Sequence, residues 1–162
     1  MKTTCHICQL RMESAFDACP QCGANLADPK AETVILSAAS VKFKSLEEPG
    51  TSIALTLTDK RIIMVDAEKE EMKPGLSGGA IGGLVEGAIK GARNAVDGKP
   101  LKLRETDSIP LCDITSLTVE SAGFIVKFKL FKISAKDDKT YMFNQGKKTA
   151  TQWEEEIRKR IG

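Results

Sequence analysis

Residues 51–58 alternate in character: Ile53, Leu55 and Leu57 fall on one face of an extended chain, and Thr56 and Thr58 on the other. That period of two predicts a strand with one buried face. After only Asp59-Lys60 comes the apolar segment Arg61-Ile62-Ile63-Met64-Val65, so the two runs predict a β-hairpin. Upstream, 33–36 and 40–44 read as strands, followed by the turn Glu47-Glu48-Pro49-Gly50. Downstream, strand patterns recur at 101–104, 108–111, 114–120 and 123–131. A last pair, 132–135 and 140–143, flanks the polar turn Lys136-Asp137-Asp138-Lys139. From residue 147 the period lengthens to that of a helix, with Ala150, Trp153, Ile157 and Ile161 recurring at spacings of three and four. The prediction is a mainly β chain: an antiparallel barrel or sandwich plugged by one C-terminal α-helix. No 20-residue apolar run predicts a membrane-spanning helix.

Ahead of the sheet, residues 1–26 hold two cysteine pairs, Cys5-His6-Ile7-Cys8 and Cys19-Pro20-Gln21-Cys22. Two intervening residues let a tight knuckle present both thiolates to one tetrahedral ion, and the ten residues between the pairs suffice for a short hairpin. Gly23 suits the unusual backbone angle that ends such a knuckle. The expected cofactor is one structural Zn²⁺ held by Cys5, Cys8, Cys19 and Cys22, with His6 outside a coordination shell that four thiolates already fill. A redox dithiol is the competing reading, but it calls for one such pair on an α/β scaffold, which a segment this short cannot supply. The four residues resemble the zinc ribbon family over positions 5–23, and that resemblance leaves the partner open. Residues 27–32 are polar, contain Pro29 and predict a linker. Cys112, alone in a predicted strand, is expected in the core.

Charge adds exclusions. The 24 basic and 22 acidic residues leave a formal net charge of only +2, so no global field argues for nucleic acid or membrane. Within residues 1–26 Lys2 and Arg11 are offset by Glu13 and Asp17, which makes nucleic acid an unlikely partner of the cysteine module. A nucleic-acid-associated or protein–protein regulator remains the alternative function. Locally, residues 123–160 carry ten Lys or Arg against five Asp or Glu, an excess of +5 by subtraction. Lys127 and Lys129 share a strand face, and with Lys132 they are candidate contacts for anionic lipid. The alternative is a solvated face whose lysines guard a sheet edge. The single histidine sits in the first knuckle and no catalytic spacing is evident, so the expectation is a non-enzymatic protein without a small-molecule substrate. No apolar stretch follows Lys2, which makes the cytoplasm, with peripheral membrane association, the default location.

The segment Leu57-Thr58-Asp59-Lys60-Arg61-Ile62-Ile63 resembles a hairpin of GRAM and bacterial pleckstrin-homology-like domains, and Ile109-Pro110-Leu111-Cys112-Asp113-Ile114 is similar to the opening of a later strand in those families. The Trp153 helix fits the same pattern. The resemblance covers about 33–66 and 100–161, and it implies a lipid- or protein-binding module over 33–162 with no catalytic machinery.

What departs from that pattern is an insertion at about 67–99, where Gly75, Gly79, Gly83, Gly87 and Gly91 recur every four residues. On a helix they would form one smooth stripe, with Ile81, Val85 and Ile89 opposite. A free glycine-rich loop is the competing reading, since glycine costs about 1 kcal/mol relative to alanine in a helix. Branched apolar residues in register argue instead for a covered segment, packed in a homo-oligomer or lying at a membrane surface. Glu86, Lys90 and the short length argue against a simple span.

Overall fold

The computed structural model describes residues 2–67, 103–123 and 127–161. The glycine series 75–91 and part of the strand predicted at 101–104 lie outside them.

Two antiparallel meanders build the sheet. The first runs through β3 (Val34–Phe43), β4 (Thr51–Thr58), β5 (Arg61–Asp66) and β6 (Thr106–Pro110). The second contains β7 (Ile114–Ala122), β8 (Phe128–Ala135) and β9 (Thr140–Gly146). Strand order is β6-β5-β4-β3-β9-β8-β7, and the meanders join where Lys42 and Phe43 of β3 pair with Phe143 and Met142 of β9. A single 3-10 turn, Leu111–Asp113, links the two outermost strands, so the sheet curls into a half-barrel. Lys42 ties β3 to β5 and β6 through Asp66 at 3.1 Å and Asp107 at 2.8 Å.

The hairpin lies where the alternation placed it. Leu57 pairs with Ile62 and Leu55 with Met64, all facing the core. Segments 33–36 and 40–44, expected as two strands, form the continuous β3, because Ser37, Ala38 and Ala39 are small enough to keep the ladder with β4 unbroken. The break expected at 131/132 is likewise absent. Lys132 points outward between buried Phe131 and Ile133 and keeps its rung with Thr118 and Met142.

Helix α1 (Lys147–Ile161) closes the half-barrel with Ala150, Trp153 and Ile157 buried, the spacing the period of 3.6 predicts. Trp153 meets Phe143 edge-on at 6.4 Å and 70°, and Phe143 stacks on its cross-strand partner Phe131 at 5.0 Å and 10°. Each such pair contributes about 0.5–1.5 kcal/mol beyond its burial. In the last turn Arg158, Lys159 and Arg160 complement the negative end of the helix. Among the described residues no helix is long and apolar enough to cross a membrane.

Cys112 corrects the expectation of a core thiol: it is exposed. It belongs to the 3-10 turn rather than to a strand. There Leu111 takes the inward position and turns its neighbour out, 3.7 Å from Asp113 Oδ1.

Candidate metal centre

The N-terminal module is built from two knuckles of the same design. A short ladder, β1 (Thr3–Thr4) with β2 (Arg11–Met12), frames the first. Within it Gln9 N–H donates to Cys5 O at 3.0 Å and Cys5 N–H to Leu10 O at 2.9 Å. In the second, Gly23 N–H donates to Cys19 O at 2.7 Å and Cys19 N–H to Ala24 O at 2.8 Å. Each turn ends on a residue of positive φ, Gln9 at 63° and Gly23 at 70°. Glycine adopts that angle without strain; glutamine does so at a cost of roughly 1–2 kcal/mol.

These turns bring the four sulfurs together. Cys5 Sγ lies 3.7 Å from Cys22 Sγ and Cys8 Sγ 3.6 Å from Cys19 Sγ, and all four fall within 4.8 Å of one another. Such separations are far beyond a disulfide bond, near 2 Å. They match the edge of a tetrahedron with metal–sulfur bonds of about 2.3 Å, which is about 3.8 Å. The four cysteines could therefore hold a metal ion. His6 stands outside the group, its Nε2 buried and without a hydrogen-bond partner.

Thiols this crowded cannot all ionise unaided. Hydrogen bonds from Cys22, Cys5 and Cys8 hold Cys19 far below the usual thiol range. Cys5 is pushed up by Cys19 but pulled down more by Cys22 and Cys8, to about 7. Cys8 and Cys22 are driven up, chiefly by their hydrogen bonds with Cys19. Two low and two high thiols share protons where a dication would neutralise four thiolates.

The module is docked on the sheet rather than merely tethered to it. Cys5, Ile7, Leu10, Met12, Cys19, Cys22 and Ala24 pack with Ile63 and Val65 of β5, joined by Ala54 of β4. Thus β4 and β5 are buried on both faces: Leu55, Leu57, Ile62 and Met64 towards the half-barrel, Ala54, Ile63 and Val65 beneath the cysteines. Polar contacts fasten the edges. The Gln21 carboxamide, inside the second knuckle, donates to Arg104 O at 2.8 Å and accepts from Arg104 N–H at 2.8 Å, and it also reaches Thr106 Oγ1. Arg61 grips Glu32 through Nε at 2.7 Å and Nη2 at 2.8 Å and donates from Nη1 to Cys22 O at 2.8 Å. Thr58, fully buried, donates to Glu32 Oε1 at 2.8 Å. Although burial pushes the Glu32 carboxyl up, hydrogen bonds from Arg61 and Thr58 bring it below its usual value. Arg61 is raised by its hydrogen bond to Glu32 and by the charge of that carboxylate, against the opposing effect of burial.

Sequence reasoning did not anticipate Gln21, Glu32, Thr58 or Arg61 as supports. The available sign was the unbroken run Ile62–Val65, because four apolar residues without alternation suit a strand covered on both sides. The candidate lysines divide: Lys127 and Lys129 line one cavity, while Lys132 is exposed on the opposite face of β8. The glycine series, Gly75 to Gly91, lies outside the described residues.

Fold and cluster together define a β half-barrel with a docked four-cysteine module. No family model matches the chain, and no curated protein matches it.

Proposed function

We propose that the cysteine cluster holds one structural Zn²⁺ and that the half-barrel it braces is a non-enzymatic adaptor, a pleckstrin-homology-like module acting at a membrane surface or on a protein partner. The observation that supports the reading is the gathering of four sulfurs within 4.8 Å, two pairs of them at 3.6 and 3.7 Å, close to the edge expected of a tetrahedral four-thiolate shell. A closed shell leaves no position for water or substrate, so the metal is a brace and not a reagent. Zinc is favoured over other divalent ions because four thiolates in a tetrahedron suit it. Iron in the same sulfur set is separable by its colour and by elemental analysis.

The binding role draws support from the GRAM-like segments at 57–63 and 109–114 and from the arrangement of two meanders closed by a C-terminal helix. The stripe Gly75, Gly79, Gly83, Gly87 and Gly91 supplies a means of membrane-surface or self-association.

The test expresses the full chain and a deletion of 75–92, measures metal by elemental analysis, and separates soluble from membrane material. One zinc per chain in both proteins, with membrane recovery or oligomer formation only in the full chain, supports the reading. Absence of bound metal removes the structural zinc, and identical partitioning and gel-filtration behaviour of the two proteins removes the role of the glycine series.

A further inference from the structure

Between Cys19 and Cys22 stand Pro20 and Gln21, so the backbone of Gln21 belongs to the loop that two of the clustered sulfurs close. Its carboxamide reaches across 83 residues of sequence to the main chain of Arg104. Nε2 donates to Arg104 O and Oε1 accepts from Arg104 N–H, both at 2.8 Å. A donor and an acceptor directed at one residue's C=O and N–H copy the rung of an antiparallel ladder. The same Nε2 also reaches Thr106 Oγ1.

Arg104 lies just before β6, which is an edge strand of the sheet. The ladder with β5 runs out at this point. Val65 pairs with Thr106, and the next bond is Asp66 N–H to Glu105 O at 2.9 Å. At Arg104 the knuckle takes over from the strand.

A second tie joins the same knuckle to the same strand. Arg61 Nη1 donates to Cys22 O at 2.8 Å and to Ser108 Oγ at 3.3 Å. Ser108 pairs with Ile63 and Thr106 with Val65, so these contacts lie on the sheet face that the cysteine module covers. A glutamine held in one rotamer loses side-chain entropy, and its contacts are worth most where the backbone that carries it is already fixed. Metal in the four-thiolate shell would fix that backbone, because Gln21 lies inside the loop between two ligands.

We propose that Gln21 is a metal-dependent latch: with the four cysteines loaded it pins the start of β6 to the module, and with the metal gone it lets that end go. The latch rests on the zinc reading and gives it a consequence beyond the module. The point where the chain re-enters the sheet after residues 68–102 then answers to the state of the cysteines. Release leaves the end of β5 at Val65 and Asp66 without its partner strand, an unpaired edge of the kind to which a further chain can add.

The test measures backbone order parameters by NMR on the full-length, isotope-labelled protein, with zinc determined in every sample by elemental analysis. The variant is Gln21→Met, which keeps the length of the side chain and loses both hydrogen bonds. In the zinc-loaded native chain Arg104 should be rigid, with an order parameter near about 0.85, and chelation should lower it below about 0.6. Zinc-loaded Gln21→Met should carry the same zinc and already show the low value, with little further change on chelation. Phe131, inside the second meander, should stay rigid throughout. That non-additivity marks a latch, since a glutamine that only stabilised the fold would act independently of the metal. A rigid Arg104 in zinc-loaded Gln21→Met overturns the proposal. So does an equal loss of order on chelation in both proteins, or a loss at Phe131, which would mean that the metal holds the whole sheet. A native chain purified without zinc removes the zinc reading on elemental analysis alone. A zinc-bearing chain whose Arg104 stays rigid after chelation removes the latch and leaves the zinc.

Discussion

Arg61 and Glu32 face one another in a two-pronged ion pair, Nε to Oε1 at 2.7 Å and Nη2 to Oε2 at 2.8 Å. The third arm of the same guanidinium reaches Cys22 O at 2.8 Å. One side chain thus fastens the strand-bound hairpin, the chain leading into β3 and the second cysteine knuckle. A planar fork does what a single ammonium cannot.

Removing that fork strands a buried carboxylate. Arg61→Ala should cost about 3 kcal/mol in a urea melt, and Arg61→Lys should recover only a small part of it. An Arg61→Lys protein as stable as the original would show that the fork geometry is unimportant.

The same pair sets a pH dependence. Glu32 is held below its usual carboxylate value in the folded protein. A depressed folded value means that the contribution is fully present above the unfolded value, about 4.3, and is lost as pH falls through the folded value. Stability of the native chain should therefore fall faster than that of Glu32→Gln below about pH 4. Parallel curves in acid would contradict the assignment.

Metal removal should act on the sheet as well as on the module. Among the described residues, Ile63 and Val65 belong to the same buried cluster as the apolar residues of the cysteine module. Chelation, or Cys8→Ser, should lower the melting temperature by several degrees and increase binding of a hydrophobic dye as that strand face is uncovered. A chelated protein with the original melting temperature and no dye binding would mean the module stays docked without metal.

Gly50 and Gly23 should respond differently to alanine. A Cβ at Gly50 would meet Val41 Cγ1 at 2.3 Å and Phe43 Cε1 at 2.9 Å, so Gly50→Ala should cost about 1–3 kcal/mol through overpacking. At Gly23 the nearest atom is Arg61 Nη1 at 4.0 Å, leaving only the strain of φ 70°, about 1–2 kcal/mol. Thermal melts of the two variants measure the contrast, and a smaller loss at Gly50 than at Gly23 would reverse the argument.

Trp153 anchors the closing helix. It is almost wholly buried and meets Phe143 edge-on at 6.4 Å. Trp153→Ala should cost about 3–5 kcal/mol in denaturant unfolding. A loss under 1 kcal/mol would mean that the helix is not part of the cooperative core.

Features written over short stretches of chain are legible in the order of residues alone. The hairpin at 51–65 and the helix from 147 follow from periods of two and 3.6. The cysteine spacing dictates two knuckles whose sulfurs can share one ion. Errors arise where a local pattern has two tertiary meanings. Small residues at 37–39 read as a break but allow a continuous ladder, and Cys112 reads as core although the turn gives the inward place to Leu111.

By itself, then, the sequence determined the β-rich architecture with its terminal helix and the set of four cysteines, since backbone period and ligand spacing act within a few residues. Only the tertiary structure decided that the cysteine module docks on Ile63 and Val65, that Arg61 reaches back to Glu32 and Cys22, and that Lys147 joins Lys127 and Lys129 around one cavity. Each of those contacts joins residues from separate elements, and their meeting depends on strand order and sheet curl. Hydrophobic periodicity says which face of an element is buried but not what buries it.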